Sequence, residues 1–126
     1  MLTRRHLLQA SAAALAAPAF ATAAKAQADW PNKPVKVIVP YPPAGGADTV
    51  SRILFTKLGA MWGKSFVIDN RGGAGGTIGA AAAAKSDPDG YTVLYDATAF
   101  SVNPALYPKL SFDYAKDFAP VFLASL

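Results

Sequence analysis

The sequence predicts an α/β fold built on a parallel βαβαβ sheet, and three observations predict it. Two apolar runs, Val35 to Pro40 and Phe66 to Asn70, each pass straight into a glycine-rich turn and then into a helical pattern. A third apolar run, Tyr91 to Tyr95, follows the turn signal Asp87-Pro-Asp-Gly90. Strand, helix, strand, helix, strand calls for crossovers between parallel strands, and such crossovers are right-handed.

The elements follow in order. Asp29-Trp-Pro-Asn-Lys-Pro34 is a proline-punctuated lead-in, and Val35 onward suits a strand buried on both faces that Pro40 ends. Asp48 is placed to cap a helix. Val50, Ile53, Leu54, Leu58, Met61 and Trp62 then recur at helical spacing until Gly63, which predicts a helix from Thr49 to Trp62 with Trp62 in the core. Phe66 to Asp69 reads as the second strand and Thr77 as the second N-cap. Ile78 to Lys85 is the second helix; its alanine run has the best intrinsic helix propensity and small side chains that let it lie close to a sheet. Beyond Asp96 the pattern weakens. Asn103-Pro104 reads as a turn, Ala105 to Leu110 as a short helical turn, Phe112 to Phe118 as mixed, and Ala119 onward as a fourth strand.

The first residues belong to a different argument. Thr3-Arg4-Arg5-His6-Leu7-Leu8-Gln9 precedes an Ala/Leu-rich run reaching Ala24, the pattern of a twin-arginine-type export signal over residues 1–28. Cleavage is expected near Ala26 or Ala28, which leaves residues 29–126 as a periplasmic domain. The competing reading, an uncleaved anchor, asks for about 20 strongly apolar residues, and this run is shorter and milder.

Removing the signal changes the charge argument. The chain carries a formal net charge of +4, but Arg4, Arg5 and Lys25 are three of its 12 basic residues and none of its 8 acidic ones lies there, so about +1 remains. The basic balance is therefore a targeting feature, and it gives nucleic acid no footprint. The chain has no Cys, and His6 is its single His. That excludes Cys and His nucleophile pairs, thiolate or imidazole metal sites, and disulfides from the domain. Roughly 100 residues suffice for one modest core. Ala119-Pro-Val-Phe-Leu-Ala-Ser-Leu126 runs on without turn or polar tail, which predicts the N-terminal piece of a longer protein.

The chemistry is expected at the glycine turns. In an open parallel sheet, ligands bind outside the carboxyl ends of the strands, where both turns and the Asp96 to Ser101 loop fall. Glycines there let backbone N–H groups and helix N-termini converge on an anion. The alternative is a nucleotide-binding enzyme domain, and its motifs fail letter by letter: neither turn ends in Gly-Lys-Ser/Thr, and a dinucleotide fingerprint from Gly73-Ala-Gly75 meets Ile78 where a third glycine belongs. Asp96 does lie about 20 residues downstream, where a ribose-binding acid would stand. A third class is an exported interaction domain without a small ligand. Asp48 is either a helix cap or a partner for a ligand ammonium group, and Arg52 pairs with it or with solvent. Arg71 is a solvated loop residue or an attraction for an anion, while Trp30, Tyr41 and Phe100 are candidates for lining a cleft.

The ordered series Trp30-Pro-x-Lys-Pro-Val-Lys-Val-Ile-Val-Pro-Tyr-Pro-Pro-Ala-Gly-Gly-Ala-Asp-x-x-x-Arg52, Asp69-Asn-Arg-Gly-Gly-Ala-Gly-Gly-Thr-Ile-Gly79, Asp87-Pro-Asp-Gly-Tyr-Thr92, Asn103-Pro104 and Asp117-Phe-x-Pro-Val121 resembles the substrate-binding proteins of tripartite tricarboxylate transporters, the Bug or TctC-like receptors. The resemblance implies the first lobe of a periplasmic Venus-flytrap protein, with the second lobe missing. It implies a small carboxylate ligand, membrane transporter subunits as partners of the full-length protein, a monomer, and no nucleic acid, catalysis, cofactor or metal. By position it assigns ligand binding to Pro43, Ala44, Gly45, Gly46, Ala47 and Asp48 in the first turn. In the second it assigns Ala74, Gly75, Gly76, Thr77 and Ile78, with Thr98, Ala99 and Phe100 close by. Ala47 stands where the family often has Thr, and Gly72 where proline is common, so a hydroxyl contact is lost and the second turn is loosened. A lone lobe is expected to bind weakly or undetectably, because it bears the ordering cost with part of the contacts.

Overall fold

The computed structural model describes residues 30–124. The expected signal, its cleavage sites and the last two residues of the expected fourth strand lie outside them. The chain divides into two units at Asn32; Trp30 to Asn32 contain no helix or strand, and everything below concerns the unit that begins at Lys33.

The α/β fold with a parallel sheet is as expected. Strands β1 (Val35–Val39), β2 (Phe66–Asn70) and β3 (Thr92–Leu94) form one sheet in the order β2-β1-β3, both pairings parallel, with Val37 opposite Ile68 on one side and Val93 on the other. The central strand is the most apolar segment of the sheet, and Val35, Val37, Ile38 and Val39 are all buried. Helix α1 (Gly46–Trp62) connects β1 to β2, and helix α2 (Thr77–Ala84) connects β2 to β3, crossing back over β1. Two crossovers of the same hand running in opposite directions put their helices on opposite faces. Strand alternation then sends Val37 and Val39 to the α1 face, where they pack with Phe55, Leu54, Leu58, Phe66, Ile68, Val93 and Tyr95.

Helix α1 starts earlier than its spacing predicts. Gly45 is its N-cap, in an extended conformation, and Asp48 lies inside the first turn rather than at the cap. The reason is that the Asp48 carboxylate reaches back to the Ala44 N–H (2.8 Å) and satisfies an amide ahead of the helix from within it. The apolar stripe is also corrected. A helix buries one stripe against a sheet, and Ala47, Ser51, Leu54, Phe55 and Leu58 occupy it. Val50, Ile53 and Met61 lie on the neighbouring face, with Ile53 68% and Met61 67% exposed, and Trp62, expected in the core, is 48% exposed with its ring 5.9 Å from that of Phe66.

Helix α2 sits close to the sheet, as its alanines predict, but Thr77 is its first residue and Gly76 its cap. The approach depends on Gly79: a Cβ there would lie 2.7 Å from the Pro40 Cβ and 2.8 Å from the Arg71 carbonyl oxygen. The largest departure follows Asp96. Ala99–Leu106 is a helix, α3, with Thr98 as cap, so Asn103 and Pro104 lie inside a helix rather than at a turn, and Ala99 to Ser101 are its first residues rather than loop. Phe100, Phe112, Tyr114 and Phe118 close a ring cluster beneath it, with centroids 4.8 to 6.0 Å apart. That cluster explains the helix: burying Phe100 against Tyr114 outweighs the turn preference of Asn-Pro. Residues 119–124 form no strand.

Candidate functional site

The chain order β2-β1-β3 reverses direction between β1 and β3, and a cleft belongs outside their carboxyl ends. One of about 500 Å³ is there, open to solvent. Pro40, Tyr41 and Pro42 line it from the end of β1, Gly73, Gly75 and Gly76 from the end of β2, and Thr98, Ala99, Val102, Asn103, Leu106 and Tyr107 from α3.

Of the residues assigned by position, Gly75, Gly76, Thr98 and Ala99 line this cleft. Pro43, Ala44, Gly45, Gly46, Ala47 and Asp48 follow Pro42 in the first turn and lie outside its lining, as do Ala74, Thr77 and Ile78 beside the second. Phe100 packs into the ring cluster, 4.9 Å from Tyr114. Sequence reasoning missed Asn103 and Tyr107. Their signal was present but misread: Asn-Pro suggests a turn, whereas here it carries a buried amide.

Both turns hold an alanine at positive φ, Ala44 at 65° and Ala74 at 47°. Such a conformation costs an L-residue on the order of 1–2 kcal/mol and persists only where the surroundings impose it. For Ala44 the surroundings are explicit. Asp48 is 2% exposed, and its Oδ2 accepts from the Ala44 N–H (2.8 Å) and from Arg52 Nε (2.9 Å). Its Oδ1 accepts from Asn70 Nδ2 (2.9 Å), which also donates to the Tyr41 carbonyl (3.2 Å), while Arg52 Nη2 donates to Asn70 Oδ1 (3.0 Å). The Arg52 guanidinium first, then the Ala44 amide and Asn70, hold the Asp48 carboxyl down at about 2. Its charge is met inside the protein and fastens the first turn to the end of β2. Arg71 is exposed and pairs with Asp69 (2.9 Å).

The second turn is held from α3. Asn103, 2% exposed, donates from Nδ2 to the Gly75 carbonyl (2.9 Å) and to the Tyr114 hydroxyl (3.0 Å). Gly75 has φ 63°, and a Cβ on it would meet the Tyr107 hydroxyl at 2.9 Å, so the cleft wall is backbone because a side chain does not fit. The third corner joins Tyr41 to Asp96. The Tyr41 hydroxyl and the Ala97 N–H both donate to Asp96 Oδ1, at 2.7 and 2.8 Å. Burial pushes Asp96 upward, and burial together with the bond to Asp96 pushes Tyr41 up to about 12. Among the described residues no group of His, Cys, Asp and Glu is arranged to hold a metal, and no helix is long and apolar enough to cross a membrane.

Residues 50–125 match the family described as tripartite tricarboxylate transporter family receptor. The chain belongs to that family. It is 37% identical over 97% of its length to a UPF0065 protein from the tcbD–tcbE intergenic region of Pseudomonas sp. strain P51, of which the match spans 36%. Its fold superposes on MatC from Rhodopseudomonas palustris, solved with bound malate, with a TM-score of 0.66 and 35% identity over 73% of this chain and 32% of MatC. An R. palustris protein solved with adipate, Rpa4515, matches with a TM-score of 0.51 and 42% identity over 52% of this chain and 22% of its own. The chain thus spans about a third of the length of the receptors it resembles, which is consistent with one lobe.

Proposed function

We propose that this chain carries the first-lobe half of an exported receptor for small carboxylates, serving a tripartite tricarboxylate-type transporter. The observation that carries the reading is the cleft itself. It opens at the reversal between β1 and β3, and its walls are Pro40 to Pro42 at the end of β1, the glycines of the second turn, whose Gly75 carbonyl is clamped by Asn103, and α3. Support comes from the malate and adipate held by two structural relatives. The export-type N-terminus fits delivery outside the cytoplasm, and a receptor rather than a Cys- or His-based catalyst fits a sequence with no Cys and no His beyond His6. Main-chain amides and helix N-termini supply the positive potential for the anion.

The test is an amide-detected NMR titration of the 126-residue chain with malate, adipate, ATP and NAD. The two acids are expected to shift resonances in residues 44–49 and 73–78 at millimolar concentration, weaker than a complete cleft gives because only part of the contacts is present. Shifts with the nucleotides alone, or none with either acid, would overturn the proposal.

A further inference from the structure

The Tyr41–Asp96 pair adds a property that the turns do not have. Tyr41 lines the cleft, and its one hydroxyl proton is committed to Asp96 Oδ1 at 2.7 Å. The phenol stays protonated, so its oxygen keeps lone pairs and has no proton to give to a ligand. Asp96 adds negative charge behind it. Both of its donors, the Tyr41 hydroxyl and the Ala97 N–H, fall on Oδ1, and among the described residues Asp96 Oδ2 is the buried side-chain polar atom without a hydrogen-bond partner, so no cation meets the carboxylate. Tyr114, the other hydroxyl interacting with Asp96, accepts from Asn103 rather than bringing a cation.

A ligand group that reaches Tyr41 therefore meets an acceptor backed by an anion. A carboxylate there is repelled, and a hydroxyl or ammonium group is bonded. The glycine turns have the opposite character, since they offer N–H donors. We infer that Tyr41, held by Asp96, is a specificity-determining residue of the cleft, selecting carboxylates with a hydroxyl or ammonium substituent over unsubstituted ones. The inference rests on the carboxylate-receptor reading, and Asp96 acts in it as a positioning residue.

The experiment compares malate with succinate, which differ by one hydroxyl. Dissociation constants come from NMR titration of the chain, of Tyr41→Phe and of Asp96→Asn, with the amide spectrum of each confirming the fold. One added hydrogen bond to a partly charged acceptor favours malate roughly tenfold in the unaltered chain. Tyr41→Phe removes the acceptor, and Asp96→Asn removes the charge that claims the phenol proton. Each is expected to bring the ratio within about threefold. Succinate binding as tightly as malate, or a ratio that survives in Tyr41→Phe, would overturn the inference while the receptor reading stands; a ratio that survives in Asp96→Asn alone would remove Asp96 from it. Binding of neither acid would overturn both. If Asp96→Asn does not fold, Tyr41→Phe decides alone.

Discussion

Replacing Gly79 by Ala sets two effects of opposite sign against each other, and the distances decide between them. In a helix interior Ala is favoured over Gly by about 1 kcal/mol. Against this, the new Cβ would stand 2.7 Å from the Pro40 Cβ, 2.8 Å from the Arg71 carbonyl oxygen and 2.9 Å from the Pro40 Cα. Two of the three are backbone atoms at the ends of β1 and β2, and the third belongs to a proline ring, so none swings aside as a side-chain end would. Overpacking costs about 1–3 kcal/mol, and three such contacts place this site at the upper end. The balance is a loss of about 2 kcal/mol, or roughly 10 °C in melting temperature at about 4–8 °C per kcal/mol for a domain of this size. Gly46→Ala is the matched comparison: it is also helical, but a Cβ there meets nothing within 4 Å. It is expected to gain about 0.4–1 kcal/mol. Thermal unfolding followed by circular dichroism reads both. A Gly79→Ala chain that melts as high as Gly46→Ala would refute the close approach of α2 to the sheet.

Asp48→Asn tests the clamp on the first turn through pH. The Asp48 carboxyl is lowered from 3.8 to about 2 in the folded chain. A depressed carboxyl contributes stability that is present above its unfolded value and lost as pH falls through the folded one. The stability difference between the chain and Asp48→Asn in urea is thus expected to be full at pH 6 and to shrink between about pH 4 and pH 2; a difference constant across that window would refute the ion pair. Asn103→Ala strips the donor from the part-buried Gly75 carbonyl and the buried Tyr114 hydroxyl, at a cost of about 1–3 kcal/mol. A lower melting temperature with faster amide exchange at Gly76 and Thr77 is expected, and unchanged exchange there would refute the clamp.

The sheet was legible because its signals are local: β1 is a buried apolar strand that reads as one, and the two glycine turns mark where strands end. The helix α1 face was half legible. Its sequence offers more apolar positions than one stripe can bury, and only the sheet's location separates Phe55 from Ile53. Asp48 and Asn103 misled for a shared reason. Both are residues whose local chemistry favours caps and turns, and in both the tertiary partners, Asn70 twenty-two positions away and Gly75 twenty-eight positions away, outweigh that preference. Helix α3 was hidden because its stability comes from rings that follow it in the chain rather than from its own pattern.

On the proposed function, these long-range partners also account for how the cleft would hold an anion. The ionisable side chains around the turns are engaged with the protein itself: Asp48 with Arg52, Arg71 with Asp69, and Tyr41 with Asp96. Asp48 fixes the first turn to β2 and Tyr41 with Asp96 fixes it to the end of β3, while the uncharged Asn103 fixes the second turn to α3. A rim fixed in this way presents its amides and carbonyls without reorganising when a ligand arrives, which lowers the ordering cost of binding. On that reading recognition would rest on backbone dipoles, which suit any carboxylate, so discrimination among acids would come from the few side chains in the cleft wall that offer one polarity only, the role we infer for Tyr41.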